Sequence, residues 1–365
     1  MDFNINMRFQ ASGWFWGVLA ELNNGYSDWT DGSYDWADQT KAFLHAPTPL
    51  PEFDEEVFNS SLSKQAIDDL LHIAIALMTG DYPLVRSYLA DVRFAFVVGY
   101  PRSGGSYVTK ELLRTVGLDH TSVSEALAHD GFPEIRDIWY DWAGDKPYFH
   151  LQTSIFQTAE FLVISRLYYQ AKTKRHGDDA WLIPKKMHKF VNWAGSFKML
   201  LGQGHSDYLV TLRHPLPTAI SAWTKSGGLP ADGLFPIAQP RSAIEHWIVS
   251  DLMMSGVTAT EIAQMSYFEA VNASWSRFHA AMATSGLFLG DRNEVKLLPY
   301  GPEALEGVVA AYRMRYGNPD TPEAVLIRAV ADDYSDWKAS GDAAVAAMSA
   351  LWTSLGLTFP TLTLS

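Results

Sequence analysis

Cysteine is absent from the 365 residues, and that absence excludes more than any other fact of composition. No disulfide framework, thiolate zinc site or cysteine nucleophile can be built, and nothing points to an oxidising compartment. Long apolar runs are lacking as well: none reaches the roughly 18 residues that a membrane-spanning helix needs. The N-terminus carries Asp2, the single basic residue Arg8 and a short Trp-rich apolar patch, Ala11 to Ala20, without the basic and apolar regions of a signal peptide. Basic charge is scarce. Lys and Arg number 28 against 41 Asp and Glu, a formal net charge of −13. A general nucleic-acid binder is thereby disfavoured, and any polyanion site must be a local basic pocket in an acidic surface. The simplest class is a cytoplasmic enzyme.

What is present is an ordinary globular composition, 47% hydrophobic and 19% charged. The length is long for one domain and short for two full ones, so one α/β domain with an added segment is expected. The boundary falls near residue 90, with an N-terminal extension over 1–90 and the main domain over 91–365. Residues 1–62 are rich in aromatics, among them Trp14, Trp16, Tyr26, Trp29, Tyr34 and Trp36. They read either as a packed cap over the core or as a lid that binds an acceptor, because aromatic faces suit sugars, phenols and other flat ligands. Lys64–Met78 has the apolar spacing of an amphipathic helix.

From Arg93 onward strands and helices alternate. Strands are expected at Arg93–Val98, Trp181–Pro184, Asp207–Leu212 and Glu294–Leu298. Helices are expected at Tyr107–Val116, Lys189–Leu201, Pro215–Lys225, Ala243–Ser255, Val271–Thr284, Pro302–Arg315 and Ala343–Leu355. Such alternation predicts a three-layer sandwich with a central, mostly parallel β-sheet, whose ligands sit at the carboxyl ends of the strands.

Three segments carry chemistry at that edge. The first is Phe94 to Tyr107, FAFVVGYPRSGGSY, where an apolar run ends in a glycine loop that opens into a helix. Helix N-termini and loop amides attract anions. The frame is that of the phosphate loop G-x-x-x-x-G-K-[ST], with Gly99, Gly104 and Ser106 in place. The lysine position holds Gly105, and Arg102 brings a cation inside the loop instead. A phosphate or sulfate donor other than a magnesium nucleotide follows, with Ser103, Gly104, Gly105 and Ser106 as an anion nest and Arg102 as its fork.

The second segment is Tyr208 to Ser221. Arg213 leaves a strand end, Pro215 or Pro217 starts a helix, and Ser221 lies eight residues after Arg213, so the two can clamp one phosphate. The third is Trp181 to Lys189. From Ala180 to Ser206 there is no carboxylate, while Lys185, Lys186, His188, Lys189, Lys198 and His205 all occur. In extended backbone Lys186 and His188 share a face. Histidine is the best general base near neutral pH, and the lysines around His188 favour its neutral form.

Together these segments resemble the sulfotransferases that use 3′-phosphoadenosine 5′-phosphosulfate. Gly99–Tyr107 is similar to that family's 5′-phosphosulfate loop, with Arg102 on the basic position, Ser106 on the last hydroxyl and Tyr107 on the aromatic beside the adenine; Gly105 departs from the usual threonine. Leu212–Ser221 resembles the 3′-phosphate segment, with Arg213 and Ser221 as ligands. Lys185–His188 resembles the K-x-H segment, which makes His188 the catalytic base and Lys186 a ligand of the sulfuryl group. Ser274-Trp275 with Phe278-His279 resembles a family helix and puts Ser276 near the adenine. Leu298–Gly301 with Glu303, and Tyr334–Lys338, resemble two later motifs; the basic triplet expected before the second is missing, with Arg328 its nearest counterpart.

The resemblance covers about residues 93–357 and implies sulfuryl transfer to an acceptor hydroxyl on a small molecule, sugar or lipid, without a metal. Glu125 and Glu134 are alternative bases, since some branches use a carboxylate after the first loop. A phosphate-loop kinase and a non-catalytic nucleotide-binding module are the rival readings.

Overall fold

The computed structural model describes residues 11, 13–24, 55–123, 125–129, 147–175, 179–188, 191, 194–290, 292–317 and 334–364. Tyr26, Trp29, Tyr34, Trp36, Glu134, Lys189 and Arg328 lie outside the described residues, as does the side chain of Glu125.

The elements run in order α1 (Gly13–Asn24), α2 (Glu55–Asn59), α3 (Ser61–Thr79), α4 (Tyr82–Tyr88), β1 (Val92–Gly99), α5 (Gly105–Thr115), α6 (Glu125–Ala128) and α7 (Pro147–Lys172). Then follow β2 (Trp181–Lys186), α8 (Ala194–Leu201), β3 (Ser206–Leu212), α9 (Pro215–Lys225), α10 (Ala243–Met254), α11 (Ala259–Gln264), α12 (Tyr267–Thr284), β4 (Val295–Pro299), α13 (Pro302–Tyr316) and α14 (Ser335–Ser354). The fold is α/β, with a four-stranded sheet in the order β2-β1-β3-β4 and every neighbouring pair parallel. Parallel pairing aligns all four carboxyl ends at one edge. The register sets Val97 beside Lys186, Gly99 beside Thr211 and Leu212 beside Pro299.

Strand alternation divides the core in two. Ala95, Val97, Leu182, Leu209 and Leu298 face Val108 and Leu112 of α5 and Leu305, Val309 and Tyr312 of α13. Phe94, Phe96, Val98, Ile183, Tyr208, Val210 and Leu212 face the larger cluster on the other side, where α1, α3, α7, α9 and α12 pack. Phe94 stacks on Phe96 at 5.3 Å between ring centroids, and Phe96 on Tyr208 at 5.4 Å. Both faces are therefore covered by helices, as a parallel sheet requires.

Helix α7 was not anticipated. Its middle, Phe161-Leu162-Val163-Ile164, is buried all round, so no polar stripe marks its period. The N-terminal segment joins the same core. Trp14 and Trp16 are buried within it, and Glu21 of α1 pairs with Lys172 of α7 at 2.9 Å. These two tryptophans are therefore core residues of the domain.

Candidate functional site

The site starts from a close approach of two strands. A Cβ at Gly99 would run into the Thr211 Oγ1 atom and stand 2.7 Å from the Thr211 carbonyl oxygen, so only glycine lets β1 and β3 meet there. The loop beyond turns through two left-handed residues, Arg102 at φ 70° and Gly104 at φ 100°. For arginine that conformation is uncommon and must be held by its surroundings. Ser103 provides part of the hold. It is buried, its hydroxyl donates to the Tyr100 carbonyl at 2.6 Å, and the Thr211 hydroxyl lies 2.8 Å away. With the Ser103 proton committed to Tyr100, Thr211 is the donor of the second bond. The Ser103 side chain thus fastens the loop to β3 and does not point out of it.

Helix α5 begins at Gly105. Its N-cap, Gly104, supplies no side-chain hydrogen bond, so the first-turn amides are not capped by a side chain in the way a serine or aspartate would cap them. Ser106 stands exposed in that first turn. Tyr107 is half-buried and packs on the apolar cluster between α5 and α13.

Three cations converge on this helix start from three strand ends. The Arg102 Nε–H donates to the Ser221 hydroxyl of α9 at 2.9 Å, and an Arg213 N–H donates to the Arg102 carbonyl at 3.2 Å. Two segments that lie more than a hundred residues apart in the chain are thereby closed into one ring. Arg213 is buried, its guanidinium lies 4.0 Å from the Tyr300 ring centre, and its carbonyl accepts from the Trp275 indole at 2.9 Å. Lys186, the last residue of β2, reaches across from the other side. Its Cε is 3.6 Å from the position a Cβ on Gly105 would take. The vacancy at 105 is therefore lined by a lysine from the neighbouring strand.

The Lys186 ammonium lies 3.3 Å from His129 Nε2. An ammonium only donates, so that nitrogen accepts and the imidazole proton sits on Nδ1. His188, two residues further along, is buried with its ring edge-on to Trp247 at 5.5 Å, and Trp247 meets Tyr100 at 5.2 Å. Helix α12 reaches the loop through Val271, whose carbonyl accepts from the Tyr100 hydroxyl at 3.3 Å, and through Trp275; Ser276 is half-buried on the same helix. Burial pushes the Tyr100 phenol well above its ordinary range, so it stays a donor.

The described residues of the carboxylate-free stretch do not form one basic surface. Lys185 is buried on the opposite side of β2 from Lys186, its ammonium 5.0 Å from the centre of the Phe161 ring. Lys198 donates to the carbonyls of Leu287 and Leu289 at 3.1 and 2.9 Å, and His205 Nδ1 lies 3.3 Å from the Leu89 carbonyl. Only Lys186 and His188 of this stretch stand at the strand-end edge among the described residues.

His214 is also at the edge but is occupied. Its Nδ1 accepts from the Leu216 amide at 3.2 Å, and Nε2 donates to Asp342 of α14 at 3.0 Å. Burial holds its pKa below the ordinary histidine range, against the pull of Asp342. With both nitrogens committed, it caps α9 and anchors α14.

Sequence reasoning missed Thr211, Trp247 and His129. Thr211 left one signal, a hydroxyl in an otherwise apolar strand end. His129 left none, because its partner is 57 positions away. Compared with known protein families, with curated proteins and with solved structures, the chain matches none.

Proposed function

We propose that the chain is a sulfotransferase that takes its sulfuryl group from 3′-phosphoadenosine 5′-phosphosulfate and passes it to an acceptor hydroxyl. The observation that carries the reading is the convergence of Arg102, Lys186 and Arg213, from three strand ends, on a helix start that no side chain caps. That arrangement suits a ligand with two separated anionic groups. Ser106, the α5 amides, Arg102 and Lys186 would hold the 5′ end, and Arg213 with Ser221 the 3′-phosphate. Bound there, the nucleotide supplies an activated sulfuryl group.

The chain's own residues then do what transfer demands. Charge develops on the oxygens around sulfur, and preorganised cations and amides stabilise it without reorganising. Lys186 suits that role because Gly105 leaves it room. Arg213 and Ser221 fix the register of the ligand along the edge. His188 accepts the acceptor's hydroxyl proton. The residues that leave the strand ends are Tyr100, Met187-His188, Arg213-His214 and Tyr300, and none is the carboxylate that a magnesium-nucleotide kinase would place there.

Calorimetry with 3′,5′-adenosine bisphosphate and with ATP is the test of the donor. Binding of the first without the second is expected; binding of ATP that requires magnesium would overturn the assignment in favour of a kinase. His188→Ala is expected to lower turnover by about 10²–10⁴-fold with nucleotide affinity unchanged. The readout is bisphosphate released from the donor over a panel of phenols, sugars and lipid alcohols. Unaltered turnover would refute the base, and binding without turnover in the unmodified chain would leave a nucleotide-binding module.

A further inference from the structure

We propose that Tyr300 is the positioning residue that gives the site its selectivity for a 3′-phosphate, acting through Arg213. The proposal rests on the donor reading above and adds a residue whose role the site motifs do not supply. Register is the first ground. Leu212 of β3 pairs with Pro299 of β4, so Arg213 and Tyr300 leave parallel strands side by side. The Tyr300 amide donates to the Leu212 carbonyl at 2.7 Å, which extends the ladder one residue past the sheet and fixes the backbone from which the ring projects. The guanidinium carbon of Arg213 then lies 4.0 Å from the ring centre, a cation–π geometry.

Burial is the second ground. Arg213 is only 6% exposed, so its charge feels the ring in a medium that screens little. The Arg213 carbonyl is already held by Trp275 and one guanidinium N–H is spent on the Arg102 carbonyl. The Tyr300 ring, 4.0 Å from the guanidinium carbon, constrains the plane of the guanidinium. A flat guanidinium presents its donors to a phosphate only in that plane, so a ring lying against it decides where the donors point.

Tyr300 has a second neighbour. A Cβ on Gly104 would stand 3.2 Å from the tyrosine ring. Removal of the ring therefore has two separable effects. Loss of the Arg213 contact weakens ligands that carry a 3′-phosphate. Loss of the Gly104 contact loosens the loop and weakens every ligand with a 5′-phosphate alike.

The experiment measures calorimetric affinities for 3′,5′-adenosine bisphosphate and adenosine 5′-monophosphate on the full chain and on Tyr300→Phe, Tyr300→Leu and Tyr300→Met. The unmodified chain is expected to prefer the bisphosphate, and Tyr300→Phe to keep that preference, because the ring and not the hydroxyl does the work. In Tyr300→Leu the bisphosphate is expected to weaken about tenfold, with the monophosphate changed less than about threefold. Tyr300→Met fills the gap with a flexible apolar chain and is expected to behave as leucine, which keeps the comparison available if the leucine variant does not fold. An unchanged ratio of the two affinities in the leucine or methionine variant would overturn the proposal while leaving the donor reading in place. Failure of the unmodified chain to bind the bisphosphate would overturn the donor reading and this inference with it.

Discussion

Acid should weaken the support beneath the site through His279, and the size of the effect can be worked out from its surroundings. The ring is wholly buried in α12, 4.1 Å between centroids from Trp275 and beside Phe278 and Phe359. Its Nδ1 lies 2.7 Å from the Trp275 carbonyl and is the donor; Nε2 is buried without a hydrogen-bond partner among the described residues. Burial lowers its pKa from the ordinary 6.5 to about 4, against the upward pull of the Trp275 bond. The unfolded chain therefore takes up this proton first. The stabilisation from keeping the ring neutral is complete above pH 6.5 and is lost as the pH falls from 6.5 to about 4. At about 1.4 kcal/mol for each pH unit, the loss amounts to about 3 kcal/mol.

The perturbation is His279→Phe, which keeps a ring of similar size and removes both the titration and the buried, unbonded nitrogen. Urea unfolding followed by tryptophan fluorescence at pH 7, 6, 5 and 4 measures the difference between the two proteins, so carboxylates common to both cancel. Near-equal stability at pH 7 is expected, with the phenylalanine variant ahead by about 3 kcal/mol near pH 4. A difference that stays constant over the whole range would refute the reasoning. The site is exposed to the same event, because Trp275, in contact with His279, holds the Arg213 carbonyl.

Two further perturbations test the scaffold. Gly99→Ala places a methyl group against Thr211 and is expected to lose about 3 kcal/mol or to prevent folding, whereas Gly105→Ala meets nothing nearer than 3.6 Å and is expected to fold with about 0.4–1 kcal/mol of added stability; thermal unfolding of both checks the contrast, and equal effects would contradict it. Glu111 of α5 is fully buried and accepts from Arg313 at 2.6 Å and from Arg114 at 2.7 Å. Glu111→Gln leaves the Arg313 charge buried and is expected to cost about 3–5 kcal/mol, read as a lower denaturant midpoint; an unchanged midpoint would show that the pair contributes nothing.

The sheet was legible because each strand is a short apolar run bounded by turn residues. Pro215–Lys225 was readable to the residue, since proline marks its start. The α7 helix hid because its middle, Phe161 to Ile164, is buried on every side and shows no polar period. At the site, Arg102, Arg213, Ser221 and Lys186 were legible as types at a spacing. What spacing cannot convey is how they meet. That Arg102 is held by both Arg213 and Ser221, and that Gly105 is empty where Lys186 passes, are products of sheet order. The basic stretch misled for the same reason: strand alternation sends Lys185 and Lys186 to opposite faces, and composition carries no faces.

The parallel sheet has a consequence for synthesis. The central strand β1 ends at Gly99, but its partners β2 and β3 end at Lys186 and Leu212. A ribosome adding about 5–20 residues per second needs several seconds to about 20 s to deliver both after β1 emerges. During that interval Phe94-Ala95-Phe96-Val97-Val98, a segment without charge, proline or glycine, has both edges unpaired. Such a segment is a hazard for intermolecular pairing. The strand that carries the glycine loop is thus the one most in need of a chaperone on the nascent chain, and slowing elongation between codons 100 and 212 should lower the yield of folded protein more than slowing it anywhere after β3.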